Sequence, residues 1–316
     1  MSINYNILII DSIHEKLVEE LTFTGFNCSY RPEINKNEIL KIIPDYDGLI
    51  LRSKITIDKI FIDNAKKLKF IGRVGSGLDN IDVKYAEKKG IKCLNSPEGN
   101  RDAVGEHTVS LLLSLFNKIC LSNCQVKSGQ WKRETNRGIE IKNKTIGIIG
   151  YGNMGSAFAQ RLRGFEANVI AYDKYKTNYS DQYVTESTLN TIFEKTDILS
   201  IHVPLTEETY YMVNNEFINS FKKDIYLINT SRGKVVKTDD LVSNLKSGKI
   251  EGAALDVLEY EDNSFENLHS GKFPEAYKIL LESNNVIITP HIAGLTNESK
   301  IKLSEVLAKK IISLIK

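Results

Sequence analysis

The stretch from Thr145 to Asp173 constrains the chain most. It reads Thr-Ile-Gly-Ile-Ile-Gly-Tyr-Gly-Asn-Met-Gly, then a helical segment, then Ala-Asn-Val-Ile-Ala-Tyr-Asp. An apolar run, a glycine turn, a helix and a second apolar run predict a strand–turn–helix–strand unit. Gly150, Gly152 and Gly155 stand at the G-x-G-x-x-G spacing, and Asp173 lies eighteen residues beyond the last of them. Gly150 permits a tight turn, Gly152 lets backbone N–H groups approach a pyrophosphate, and Gly155 lets the helix pack close to the sheet. Asn153 and Met154 then lie in the first turn of the helix, where partial positive charge favours phosphate. Asp173 would accept hydrogen bonds from ribose hydroxyls and repel a 2′-phosphate, so the expected cofactor is NAD rather than NADP. The alternative is a glycine turn in an unrelated α/β protein.

With 316 residues the chain has room for two domains. Lys and Arg total 42 against 40 Asp and Glu, a net charge of +2 that gives no support for a nucleic-acid or membrane-surface role. No apolar run reaches the roughly 18 residues of a membrane span, and the first residues lack the pattern of a signal peptide, so a cytoplasmic protein is expected. Cys28, Cys93, Cys120 and Cys124 form no C-x-x-C pair. No metal is expected, and the thiols read as buried or incidental.

Apolar segments at 5–11, 25–30, 48–51, 68–73 and 90–94 alternate with amphipathic stretches, which predicts a parallel sheet covered by helices. No glycine fingerprint follows its first strand, so this region is expected to hold something other than the dinucleotide. Arg52 follows its third strand. Arg73 precedes a glycine turn, and Val74, Gly75 and Ser76 of that turn, with Asn100 further on, are candidate contacts for a substrate carboxylate. Solvated surface cations are the alternative for both arginines. Residues 100–127 read as one long apolar helix connecting two domains and forming part of a homodimer interface. Strands recur at 198–203, 225–229, 252–257 and 286–289, fitting a six- or seven-stranded doubly wound sheet. The apolar spacing of 298–315 predicts a helix packed back on the first domain. The expected division is 1–98 with 292–316 as a discontinuous substrate domain and 99–291 as an inserted Rossmann domain, with the active site in the cleft between them.

Three late segments each end a strand and carry a reactive side chain: Arg232 in Asn-Thr-Ser-Arg-Gly, the carboxylates after Ala-Leu-Asp-Val, and His291 in Pro-His-Ile-Ala-Gly. Beside a nicotinamide they make a coherent set for moving a hydride and a proton together. An unperturbed imidazole changes charge near neutrality, which makes a histidine at 291 the natural acid–base group. A neighbouring carboxylate would favour its imidazolium. Arg232 would hold the substrate carboxylate and polarise the C2 carbonyl, and Asp256 could reach the nicotinamide carboxamide. His202, Pro204 and Thr230, also near strand ends, are candidate cofactor contacts, with a structural place as the even alternative for His202. His14 and His269 read as solvated, and His107 as a cap or packing residue.

The glycine fingerprint, Asn-Thr-Ser-Arg-Gly at 229–233, Ala-Leu-Asp-Val at 254–257 and Pro-His-Ile-Ala-Gly at 290–294 together resemble the D-2-hydroxyacid dehydrogenase family. Gly-Ser-Gly-Leu-Asp-Asn-Ile-Asp at 75–82 and Glu-His-Thr at 106–108 extend the resemblance over nearly the whole chain. It implies two doubly wound α/β domains, a Rossmann domain inserted in a flavodoxin-like one, and NAD as cofactor. It also implies a catalytic Arg232, glutamate and His291, and the family spacing of five residues from Asp256 selects Glu261 over Glu259. Within the family, Arg52, Arg73 and Gly129-Gln130-Trp131-Lys132-Arg133 resemble the branch that oxidises D-3-phosphoglycerate toward serine. There Arg52, Arg73 and a partner subunit's arginine at 133 would neutralise a phosphate and a carboxylate. Reductases of glyoxylate, hydroxypyruvate or another 2-oxo acid are the nearest alternative, and an NAD-sensing corepressor-like binding protein is the rival from another class. Departures from the family pattern are Asp262 where proline is usual, Leu295 where a small or hydroxylated residue is common, and a long polar segment at 262–285 that reads as a flap over the site.

Overall fold

The computed structural model describes residues 5–261 and 274–315. The chain divides into two compact units: one holds the described residues of Met1–Arg101 and Leu295–Lys316, the other those of Asp102–Glu261 and Leu268–Gly294.

The first unit is built on β1 (Asn6–Ile9), β2 (Asn27–Tyr30), β3 (Gly48–Leu51), β4 (Phe70–Arg73) and β5 (Lys92–Leu94), all parallel and ordered β2-β1-β3-β4-β5. This is the flavodoxin-like order. Parallel neighbours need crossovers, supplied here by α1 (Glu15–Phe23), α2 (Lys36–Ile42), α3 (Lys59–Asn64) and α4 (Val83–Lys88). Their starts are fixed locally: Asn35 and Glu38 form a reciprocal capping box on α2, and Asp58 and Asp82 accept backbone amides at the starts of α3 and α4. Successive residues of β1 point to opposite faces. Leu8 joins Ile39, Leu49 and Phe61 in one core, whereas Ile7 and Ile9 join Leu17, Leu21 and Phe70 in the other. The last helix, Asn297–Ile315, adds Leu303, Leu307 and Ile311 to that second core, which is why its apolar spacing is that of a one-sided helix.

In the second unit the strands are β6 (Thr145–Ile149), β7 (Asn168–Tyr172), β8 (Thr185–Glu186), β9 (Ile198–Ile201), β10 (Ile225–Asn229), β11 (Ile250–Leu255) and β12 (Val286–Ile288). All are parallel, in the order β12-β11-β10-β9-β6-β7-β8. The direction of winding reverses between β6 and β9, the position where α/β sheets open a crevice for ligands. The helices are α5 (Arg101–Phe116), α6 (Ile119–Lys127), α7 (Asn153–Arg161), α8 (Leu189–Lys195), α9 (Asn215–Asn219), α10 (Thr238–Ser247) and α11 (Glu275–Glu282).

The single long helix expected over 100–127 is two helices bent by 60°. Lys118 takes a left-handed backbone, φ +50°, and the Phe116 carbonyl accepts from the Ile139 amide instead of continuing the helical ladder. α5 buries Leu111, Leu112, Leu115 and Phe116, while α6 buries no residue. Among the described residues no single helix is long and apolar enough to cross a membrane, and no three His, Cys, Asp or Glu side chains are placed to hold a metal. Cys120 and Cys124 are exposed rather than buried. His269 and residues 262–273 of the expected flap lie outside the described residues; the remainder of that segment carries α11 and leads into β12.

Candidate active site

At the carboxyl end of β6 the chain turns through Gly150, whose φ of +92° lies in the region that favours glycine. A Cβ on Gly155 would stand 2.1 Å from the Gly150 carbonyl oxygen, whereas one on Gly152 would meet nothing within 4 Å. The turn is therefore tight on its inner side and open on its outer side. α7 starts at Gly152 with no side-chain cap, unlike α2, α3, α4, α8 and α9, whose N-caps all accept a backbone amide. The first-turn amides at Asn153 and Met154 thus lack the partner a capping side chain would give, and a pyrophosphate fits this cradle. Asp173, after β7, accepts the Tyr151 amide at 2.8 Å and the Tyr175 amide at 3.0 Å. A carboxylate has about four lone-pair positions, so two remain for ribose hydroxyls.

His202 follows β9. Its amide donates to Ile149, its Nε2 lies 2.8 Å from Ser200 Oγ, and its ring packs 5.6 Å from that of Phe158. Nδ1 is shut off from solvent without a hydrogen-bond partner, and burial pushes the imidazole down to about 3, so it is neutral at pH 7. Pro204 is exposed, and its carbonyl accepts from Thr209 at 2.6 Å. Thr230 is turned toward α5, its Oγ1 3.3 Å from that of Thr108.

Arg232, Glu261 and His291 follow β10, β11 and β12, three neighbouring strands of one sheet. His291 Nδ1 lies 2.6 Å from Glu261 Oε2, and the other Glu261 oxygen accepts the Leu258 amide. Glu259 instead accepts the Thr238 amide at the start of α10. The structure thus joins to the histidine the glutamate that the family spacing selects. Arg232 is half-buried, with Nη1 donating to the Ser231 carbonyl at 2.7 Å; Asn229 binds its own loop through the Ser231 amide and hydroxyl and the Arg232 carbonyl.

Asp256 is 1% exposed. Its carboxylate accepts from Thr289 Oγ1 at 2.6 Å and from the amides of Ile292 and Ala293 at 2.9 Å each, and lies 3.4 Å from His107 Nε2. Burial alone would push this carboxyl up, but bonds from His107, Thr289 and the two amides outweigh it and hold it below its ordinary value. The carboxylate expected at the nicotinamide carboxamide is therefore turned inward, onto the loop that carries His291. His107 and Thr289 are the side-chain partners of Asp256, which the sequence reading did not foresee. They stand 182 residues apart, and no local spacing signals the pair.

In the first unit, Arg52 is exposed, and the amides of residues 52–54 converge on Asp11 Oδ2. Arg73 is 7% exposed; its Nε donates to the Arg52 carbonyl and its Nη1 to the Gly77 carbonyl. The Val74 and Gly75 amides donate to the carbonyls of Leu51 and Arg73. Ser76 Oγ donates to Asn100 Oδ1 at 2.9 Å.

A parallel sheet wound in this order, with an uncapped glycine turn at its reversal point, defines a dinucleotide-binding Rossmann domain. Comparison with known proteins narrows the class. The family described as "D-isomer specific 2-hydroxyacid dehydrogenase, NAD binding domain" matches residues 109–293. The chain is 38% identical to a hydroxypyruvate reductase of Thermotoga maritima over 88% of either chain. It is 32% identical to a D-3-phosphoglycerate dehydrogenase of Archaeoglobus fulgidus over 98% of its own length, but spans only 57% of that relative. The solved structure of a D-lactate dehydrogenase from Aquifex aeolicus with NAD and lactic acid matches at a TM-score of 0.80 and 29% identity, covering 98% of this chain and 95% of that one. The chain belongs to the D-isomer specific 2-hydroxyacid dehydrogenase family, and its second unit is that family's NAD-binding domain.

Proposed function

We propose that the protein interconverts a D-2-hydroxy acid and its 2-oxo acid with NAD. The observation that carries this reading is the 2.6 Å contact between His291 and Glu261, next to the strand that leads to Arg232. Bound at the glycine turn, the nicotinamide cofactor supplies or receives the hydride at C2. His291 Nε2 gives the C2 oxygen its proton during reduction and removes it during oxidation. Glu261 accepts the Nδ1 proton, which fixes the imidazole's orientation and stabilises its charged form. Arg232 pairs with the substrate carboxylate and polarises the C2 carbonyl.

For the substrate we propose D-3-phosphoglycerate, oxidised to phosphohydroxypyruvate in the cytoplasm as a step toward serine. The exposed Arg52 is the cation of this chain that supports a phosphate, with an arginine at 133 supplied by a partner subunit. The inward direction of Arg73, which spends donors on two carbonyls, favours a second reading in which glyoxylate or hydroxypyruvate is reduced. We also propose a homodimer through the second unit. α6 buries nothing within the chain, and Ile119, Val126 and Trp131 are 52, 51 and 79% exposed. Sedimentation should give a dimer that Ile119→Asp with Trp131→Asp converts to monomer.

Initial rates of NADH oxidation with phosphohydroxypyruvate, hydroxypyruvate, glyoxylate, pyruvate and 2-oxoglutarate test the chemistry and the substrate together. Preference for the phosphorylated acid supports the first reading, and preference for an unphosphorylated one replaces it with the second. NADH binding with no turnover on any acid refutes the enzymatic reading and leaves a dinucleotide-sensing protein.

A further inference from the structure

His107 lies in the second turn of α5, with its side chain 21% exposed, and takes no part in the proton transfer described above. Its Nε2 is 3.2 Å from Thr289 Oγ1 and 3.4 Å from Asp256 Oδ1. Thr289 Oγ1 donates its one hydroxyl hydrogen bond to Asp256 Oδ1 at 2.6 Å, so its oxygen is left to accept from an N–H at His107 Nε2. The result is a relay of donors from helix to threonine to carboxylate. Asp256 in turn holds the loop beyond β12 at three points: its two carboxylate oxygens take the amides of Ile292 and Ala293, and its carbonyl takes the amide of His291.

That grip matters because His291 has a left-handed backbone, φ +54°. A non-glycine residue persists there only where its surroundings hold it. The ring that must meet Glu261 on one side and the substrate on the other is thus aimed by a turn whose amides are tied to one buried carboxylate. A buried carboxylate keeps its charge and orientation only while its donors are in place, and two of these are the side chains of His107 and Thr289.

We propose that His107 is a positioning residue for the catalytic histidine, acting through Thr289 and Asp256 on the left-handed turn at His291. The inference rests on the reading that His291 moves the proton. His107 supplies a hydrogen bond from its Nε2, the far ring nitrogen, and this sets the test. Glutamine can place an N–H near that position; asparagine, one methylene shorter, cannot, yet remains polar and compact.

The experiment compares wild type, His107→Gln and His107→Asn in three measurements: steady-state kinetics with the best 2-oxo acid, NADH binding by fluorescence, and amide hydrogen exchange of residues 290–294. Misplacing a reacting group by about 1 Å can cost on the order of a hundredfold. We expect kcat to fall about tenfold or more in His107→Asn, with NADH affinity within about twofold of wild type. His107→Gln should recover kcat to within about threefold. The isotope effect from NADH deuterated at the transferred hydrogen should rise in His107→Asn, because chemistry becomes slower relative to product release. Exchange at Ile292 and Ala293 should quicken in His107→Asn and not in His107→Gln. Equal impairment of the two variants, or a kcat and isotope effect unchanged in His107→Asn, overturns the proposal. An inert wild type would refute the enzymatic reading separately, and the exchange rates would still decide whether His107 holds the loop.

Discussion

Glu261→Gln changes one atom and tests the proposed proton chemistry directly. In the wild type Glu261 accepts twice, from His291 Nδ1 at 2.6 Å and from the Leu258 amide at 2.5 Å, with its side chain only 13% exposed. Glutamine has one accepting end. If its oxygen faces His291, its NH2 meets the Leu258 N–H; if it faces Leu258, its NH2 meets Nδ1 and imposes the tautomer with the proton on Nε2. Either way one good bond is lost, and the imidazolium loses its counter-charge. A hydrogen bond to a charged group contributes about 1.5–3 kcal/mol. If that stabilisation acts mainly when His291 is charged, kcat should fall roughly ten- to hundredfold. The assay is the initial rate of NADH oxidation with a saturating 2-oxo acid, with NADH affinity measured by fluorescence on the same preparation. Affinity should change less than about twofold, since Glu261 is assigned no contact with the dinucleotide. A Glu261→Gln protein with kcat within about twofold of wild type would refute the assignment of His291 and Glu261 as a working pair.

Other parts of the structure give equally specific expectations. Gly155→Ala places a Cβ 2.1 Å from the Gly150 carbonyl oxygen, so the turn must open; we expect about 1–3 kcal/mol of destabilisation with a marked loss of NADH affinity, and unchanged NADH titrations would contradict the role given to this turn. His202 is held neutral, its pKa depressed from 6.5 to about 3, so unfolding releases a group that binds a proton. Its stabilising contribution is complete above about pH 6.5 and is lost progressively as the pH falls toward 3. Urea midpoints should therefore drop less steeply between about pH 6.5 and 4.5 in His202→Asn than in wild type, and parallel slopes would dismiss the residue as the cause. Arg52→Ala should raise KM for a phosphorylated acid about tenfold at unchanged thermal midpoint. Arg73→Ala, which frees the carbonyls of Arg52 and Gly77, should instead lower that midpoint, and the reverse pattern would exchange their roles.

What the sequence makes legible here is what backbone and short spacing determine. Gly150, Gly152 and Gly155 can be read because each answers a demand made by the chain a few residues away: a positive φ, an open approach, a close carbonyl. The alternation of apolar runs and helices gives the parallel sheets because every crossover is local. Glu261 could be singled out over Glu259 only by a family spacing; both are carboxylates after β11, and only the fold sends one to His291 and the other to Thr238. The break at Lys118 has no glycine or proline to announce it, because its cause is Ile139 taking the Phe116 carbonyl. Arg73 and Asp256 follow from the same logic. Each is an ionic side chain at the end of a strand, where a ligand contact is the natural expectation. Each is turned inward, because loops brought together by the sheet present two carbonyls to the arginine and two amides to the aspartate. A charge at the carboxyl end of a strand therefore has two competing uses, to meet the ligand or to hold the loop that does. Burial and the number of committed donors or acceptors separate them: Arg232 and His291 remain half-buried, while Arg73 and Asp256 are 7 and 1% exposed.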